Sequence, residues 1–222
     1  MDSVKTILNN IVVDSQKAEE YEKMIKKQTM KEEKASLDYN FKHISGVPKR
    51  YLQESLGTWE CSSEGDIVNL RTIQHFVETK NQNKILALLG DYGTGKTHLG
   101  CSIIREMGGL YITSQKLCIE YESGSDFKAE ANKMQILRKY STAPMLIIDE
   151  VGRGFKPDLE KEIISFIISE RYANDLPMGI ISNFKKDGFV RFIGDAMYDR
   201  FSEVGIILEF LGCSKRFDKR VS

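Results

Sequence analysis

The chain has 222 residues, 41% hydrophobic and 29% charged, which suits one soluble α/β domain with room for a short appendage. Its 32 basic and 32 acidic residues cancel, so overall charge favours no nucleic-acid partner and any such surface must be local. Four dispersed cysteines (Cys61, Cys101, Cys118, Cys213) form no C-x-x-C pair, no apolar run approaches the roughly 18 residues of a membrane span, and MDSVKT lacks the features of a signal peptide; zinc, a disulfide framework and a membrane are excluded, and a cytoplasmic protein is expected.

Residues 1–44 read as a helical arm. Val4, Ile7, Leu8, Ile11 and Val12 fall at i, i+3, i+4, i+7 and i+8, one apolar stripe behind an N-cap at Asp2 or Ser3. A Lys- and Glu-dense stretch follows, with the i,i+4 pairs Glu19–Lys23 and Glu22–Lys26. Its apolar content is too thin for a core, so the arm either packs back on the main domain or docks on a partner. The second is favoured. The segment HISGVPKRYLQESL turns at Gly-Val-Pro and continues at helical spacing, and a globular domain over 45–222 begins there.

Strands are predicted at 85–89, 110–114, 145–150, 179–184 and 205–210, alternating with helical patterns. That alternation predicts a parallel five-stranded sheet covered by helices on both faces. The first strand runs into GDYGTGKTHLG, a G-x-x-x-x-G-K-T loop, and Leu99, Ile103, Ile104 and Met107 then follow at helical spacing. Strand, glycine loop and helix together are the context in which backbone N–H groups cradle a triphosphate. Gly90, Asp91, Tyr92, Gly93, Thr94 and Gly95 form the expected cradle, with His98 on the first helical turn. Lys96 is expected to reach the β- and γ-phosphates of ATP, and the Thr97 hydroxyl to ligate Mg²⁺.

Residues 115–143 carry no clear motif. The cations Lys128, Lys133, Arg138 and Lys139 read there as a solvated helix face rather than a nucleic-acid contact. The third strand, MLIIDE, ends in two carboxylates at the edge where parallel sheets bind ligands. Asp149 is expected to hold Mg²⁺ through water, and Glu150 to act as general base on the attacking water. Asn183, in GIISNF near the end of the next strand, is placed to orient that water. In FKKDGFVRF, Phe184, Phe189 and Phe192 alternate with cations as in a single-strand stacking platform, but core phenylalanines are the favoured reading. Arg200 in GDAMYDRF and Arg216 in GCSKR are able to stabilise charge on a γ-phosphate; spacing alone does not separate that from a surface ion pair.

The order GVPKRYL, GDYGTGKTHL, MLIIDEVG, IISNF, GDAMYDRF and GCSKR, from about residue 46 to residue 216, resembles the AAA+ ATPases of the DnaC-type helicase-loader branch. Their close cousins are the IstB-type transposition ATPases. The resemblance implies a P-loop AAA+ core without a C-terminal helical lid domain. It makes Asn183 the first sensor, Arg200 an arginine finger acting in trans on a neighbouring subunit's nucleotide, and Arg216 the second sensor. It implies ATP hydrolysis, self-association, single-stranded DNA as a partner, and a DnaB-type hexameric replicative helicase gripped by the arm of residues 1–44. The arm is short and lacks a cysteine cluster, where the sequence departs from the branch. Three other readings stay open: an ATPase assisting a transposase, a small-molecule P-loop kinase, and a module in which ATP is only a clamp.

Overall fold

The computed structural model describes residues 2–79, 84–124, 132–212 and 214–215, with side chains described from Tyr21. The chain divides into two compact units, Met1–Asn40 and Phe41–Ser222. Helix α1 (Asp2–His43) is 42 residues long. Within the first unit a lone helix has nothing to pack on, and its Tyr21, Met24, Ile25 and Met30 side chains are exposed.

The second unit is built on strands β1 (Ile85–Gly90), β2 (Leu110–Thr113), β3 (Leu146–Val151), β4 (Met178–Ser182) and β5 (Gly205–Phe210). They form one parallel sheet in the order β2-β3-β4-β1-β5. All five predicted strands are present, and the sheet is parallel as expected. The helices are α2 (Glu64–Glu78), α3 (Lys96–Met107), α4 (Ser114–Ser123), α5 (Lys133–Ser141), α6 (Pro157–Ala173), α7 (Lys186–Ile193) and α8 (Asp195–Val204). Among the described residues no helix follows β5, and none is long and apolar enough to cross a membrane.

The inner strands β1, β3 and β4 are buried on both sides, which is why they read as unbroken apolar runs. Along β1, Ile85, Ala87 and Leu89 face one core layer, with Ile163 and Ile167 of α6 and Phe201 of α8. Leu86 and Leu88 face the other, with Ile73 and Phe76 of α2 and Leu99 and Ile103 of α3. Gly100 lets α3 lie close on the sheet: a Cβ there would stand 2.5 Å from Ile181 Cδ1 and 3.2 Å from Ile147 Cγ2.

Two local outcomes differ from the sequence reading. The stretch after Gly-Val-Pro makes two short 3₁₀ turns, Lys49–Tyr51 and Leu56–Thr58, instead of a helix. Pro48 caps the first turn, and the chain is already leaving helical geometry by Ser55 (φ −147°). Helix α2 was not anticipated; Ser63 starts it by accepting from Asp66 N. Residues 115–143 hold α4 and α5, where Asn132 and Gln135 form a reciprocal cap. On them Lys139 pairs with Glu120 at 3.5 Å and Lys133 covers the Tyr121 ring, as a solvated face would; Lys128 lies outside the described residues.

Candidate functional site

The carboxyl ends of β1, β3 and β4 converge on a cavity of about 600 Å³, lined by Thr94, Lys96, Thr97, Asp149, Glu150 and Asn183 among others. Such a crevice, at the point where parallel strand order reverses, is where α/β sheets bind ligands. The glycine loop enters it between β1 and α3. Gly95, the residue before α3, has φ 93°, and its missing Cβ would lie 2.4 Å from Trp59 Nε1. A side chain is excluded there both by backbone conformation and by space.

Lys96 is 5% exposed, and its ammonium donates to Gly90 O (2.9 Å), Asp91 O (2.6 Å) and Asn183 Oδ1 (3.2 Å). The lysine therefore joins the loop to the residue just past β4. Thr94 Oγ1 donates to Asp91 O, closing the loop on itself. One residue past Lys96, Thr97 Oγ1 donates to Asp149 Oδ2 at 2.7 Å. Asp149 is 2% exposed, and its Oδ1 accepts from Glu150 N at 2.6 Å. Glu150 has φ 59°, a left-handed conformation uncommon for a residue with a Cβ. Ser114 Oγ donates to its carbonyl at 3.0 Å. Its carboxylate lies 3.8 Å from the Arg153 guanidinium, which also covers the Tyr92 ring.

A family model described as IstB-like ATP binding protein matches residues 1–221. The chain belongs to that family. It is 25% identical over 162 residues to the replicative helicase loader DnaC of Buchnera aphidicola subsp. Acyrthosiphon pisum (strain APS). That match covers 70% of this chain and 66% of the relative, just under two thirds of its length. Two solved structures share the fold. The crystal structure of the DnaC helicase loader has a TM-score of 0.61 at 24% identity, over 73% of this chain and 99% of that one. The structure of DnaI has a TM-score of 0.66 at 20% identity, over 80% of this chain and 100% of that one.

The family is described as ATP-binding, and the residues of this loop fit a nucleotide. The loop brings one ammonium into a largely buried crevice at a helix N-terminus, the electrostatic setting for phosphate. A hydroxyl and a carboxylate in contact, Thr97 and Asp149, are the oxygen donors that a hard cation such as Mg²⁺ takes. No cluster of three or more His, Cys, Asp or Glu competes for a metal among the described residues.

The remaining sequence-predicted residues divide. His98 also lines the cavity, but its ring is held by Ser55 O (2.8 Å) and lies near Thr58 and Glu54. Arg200 donates to Ser169 Oγ on α6 at 3.0 Å and is not among the described residues lining the cavity. Arg216 lies outside the described residues. Phe189 is fully buried and Phe184 packs on Phe192, so these rings belong to the core and not to a stacking platform.

Several residues of the site were missed. Trp59, 5% exposed, walls the loop, and the Lys215 ammonium sits 3.6 Å from its ring centroid. Lys215 Nζ also reaches Asp66 Oδ2 at 3.0 Å, and its backbone N–H bonds Gly93 O. Gly212 N donates to Asp91 Oδ2. The segment after β5 is thereby laced to the glycine loop. The one available signal was GCSKR, read for its arginine and not for the lysine beside it.

Proposed function

We propose that this chain hydrolyses ATP with Mg²⁺, and that nucleotide state controls its assembly with a hexameric replicative DNA helicase and single-stranded DNA. The observation that carries the ATPase half is the convergence of Lys96, Thr97, Asp149 and Asn183 on one buried crevice. The client half is supported by the relatives, a replicative helicase loader among them.

In this reading the loop from Gly90 to Gly95 and the first turn of α3, through His98, hold the phosphates, with Lys96 turning from loop carbonyls toward the β- and γ-oxygens. Thr97 and Asp149 would hold Mg²⁺, which would supply positive charge against those oxygens. Glu150 takes a proton from water as the water oxygen attacks the γ-phosphorus. The bond to the β–γ bridging oxygen breaks, and ADP and phosphate leave. The pairing with Arg153 must open for Glu150 to act; exposed pairs of this kind are weak, about 0–1 kcal/mol, so opening is cheap. Asn183 orients the water. Arg200, outside its own cavity, serves a neighbouring subunit's γ-phosphate, and Arg216 completes the site as second sensor. Residues 1–44 carry the partner-binding arm, because a lone helix gains burial for its apolar side chains only by docking.

Glu150→Gln is expected to bind ATP as the wild type does and to lose phosphate release by 10²-fold or more. Equal turnover would remove Glu150 as the base. The same assay run over a range of protein concentrations tests Arg200: turnover per subunit rises with concentration in the wild type and stays flat in Arg200→Ala. For the client, the Glu150→Gln protein with MgATP is used as bait in host lysate. Recovery of the replicative helicase, lost with Ile25→Glu, supports the loader reading. Recovery of a transposase instead assigns the chain to transposition.

A further inference from the structure

Asp149 accepts three hydrogen bonds. Two come from its own motif partners, Thr97 Oγ1 and Glu150 N. The third comes from Tyr111, whose hydroxyl donates to Oδ2 at 2.8 Å. Tyr111 belongs to neither the glycine loop nor the acidic pair. It lies on β2, where the register sets Tyr111 beside Ile147 and Thr113 beside Asp149. The phenol thus reaches along the strand by two residues, a span of about 6.6 Å that only a long side chain covers.

The tyrosine is fixed at both ends. It is 7% exposed. Its backbone N–H donates to Ser45 O at 2.7 Å, and Gly46 lies so close on its carbonyl that a Cβ there would stand 2.5 Å from the oxygen. Ser45 is anchored in turn through Oγ to Phe41 O and Val47 N. The hydroxyl is the donor in this contact, because the carboxylate offers only acceptor oxygens.

We propose that Tyr111 is the positioning residue of the cation site: by holding Oδ2, its hydroxyl fixes the rotamer in which the Asp149 carboxylate presents itself to Mg²⁺. This rests on the reading of the crevice as a MgATP site. Without Tyr111, Oδ2 would lose its last donor when Thr97 turns its lone pair to the metal, and the carboxylate would be held only at Oδ1 by the Glu150 N–H. Outer partners of metal ligands are typically worth 10–100-fold in metal affinity. The nucleotide's own hold is set by the loop and Lys96, whereas the described hydrogen bonds of the Tyr111 hydroxyl and backbone N–H go to Asp149 and Ser45, so the two affinities separate.

The test uses full-length Tyr111→Phe and Tyr111→Leu. Binding of a fluorescent, non-hydrolysable ATP analogue is measured in EDTA, and binding of Mn²⁺ to the protein–analogue complex by electron paramagnetic resonance. Analogue affinity in EDTA is expected within twofold of the wild type for both variants, with Mn²⁺ affinity lower by about 10-fold or more in both. Thermal stability should fall further in Tyr111→Leu than in Tyr111→Phe, because only the former leaves a cavity. A purely structural tyrosine gives the other pattern: Mn²⁺ affinity tracks stability, near wild type in Phe and low in Leu, and the proposal is overturned. If Thr97→Ala loses Mn²⁺ while Tyr111→Phe keeps it, the cation site stands and the positioning role fails. If the wild-type complex itself takes up no Mn²⁺, the MgATP reading fails and takes the proposal with it.

Discussion

At the scale of single residues, burial decides which groups are chemically available. Cys118 is 8% exposed, and its thiol is pushed up to about 11, by burial first and then by the Glu160 and Glu122 charges. Cys101, fully buried, is also pushed up, by burial and then by Asp149 and Glu54. Cys61 is exposed. The thiolate is the nucleophile, so a raised pKa and a buried sulfur both slow alkylation. At pH 8, iodoacetamide should label Cys61 in the folded protein and reach Cys101 and Cys118 only after urea. Mass spectrometry of native and unfolded samples checks this, and native labelling of Cys118 as fast as Cys61 would contradict it. The sign for stability follows from the same shift. A thiol raised on folding contributes fully below its unfolded pKa and loses that contribution as pH rises toward the folded value. For Cys118 the window runs from about 9 to about 11.

At the scale of elements, Arg171 joins three of them. It sits in the last turn of α6 and is fully buried. Its guanidinium donates to Tyr140 O and Ser141 O at the end of α5 and to Pro177 O before β4. Burial lowers its pKa to about 10, so it stays charged at neutral pH, held by carbonyl dipoles alone among the described contacts. Arg171→Ala removes donors from three buried carbonyls and leaves a cavity, so a loss of about 3 kcal/mol or more is expected. Arg171→Lys should also lose stability, because one ammonium does not reproduce a planar fork aimed at separated acceptors. Urea unfolding of both variants measures it. A loss below about 0.5 kcal/mol for Arg171→Ala would show that water replaces the fork. This arginine also marks where sequence reading stops. ISERYAND looks like a polar helix end, and nothing local says that its arginine turns inward. The strands were legible because two-sided burial demands continuous apolar runs such as ILALL and MLIID. Lys96, Thr97, Asp149 and Glu150 were legible because each motif is contiguous along the chain. Tyr111, Trp59, Asp66 and Lys215 were not. Each reaches the site from a separate segment, and LYIT by itself reads only as one more buried strand.

At the scale of the whole molecule, the question is where the arm can be separated from the core. The compact units divide after Asn40, and within the second unit Phe41 is 3% exposed with the Arg105 guanidinium 4.4 Å from its ring centroid. Ser45 supplies the carbonyl that holds the Tyr111 backbone. A chain lacking residues 1–40 keeps all of these contacts, whereas one lacking residues 1–44 loses Phe41 and the Ser45 Oγ bond to its carbonyl. Deleting a buried phenylalanine costs about 3–5 kcal/mol, a large share of the 5–15 kcal/mol that a domain typically has. The two truncations, only four residues apart, should therefore behave differently. The first should melt near the wild-type temperature and be stabilised by ATP at 100 times its Kd by about 2.7 kcal/mol, as a chain with an intact nucleotide site would be. The second should melt many degrees lower. Scanning calorimetry with and without MgATP decides it. Equal melting of the two truncations would mean that Phe41 adds nothing to the core and that the arm extends to the Gly-Val-Pro turn. Early melting of the shorter deletion would mean that residues before Phe41 support the second unit.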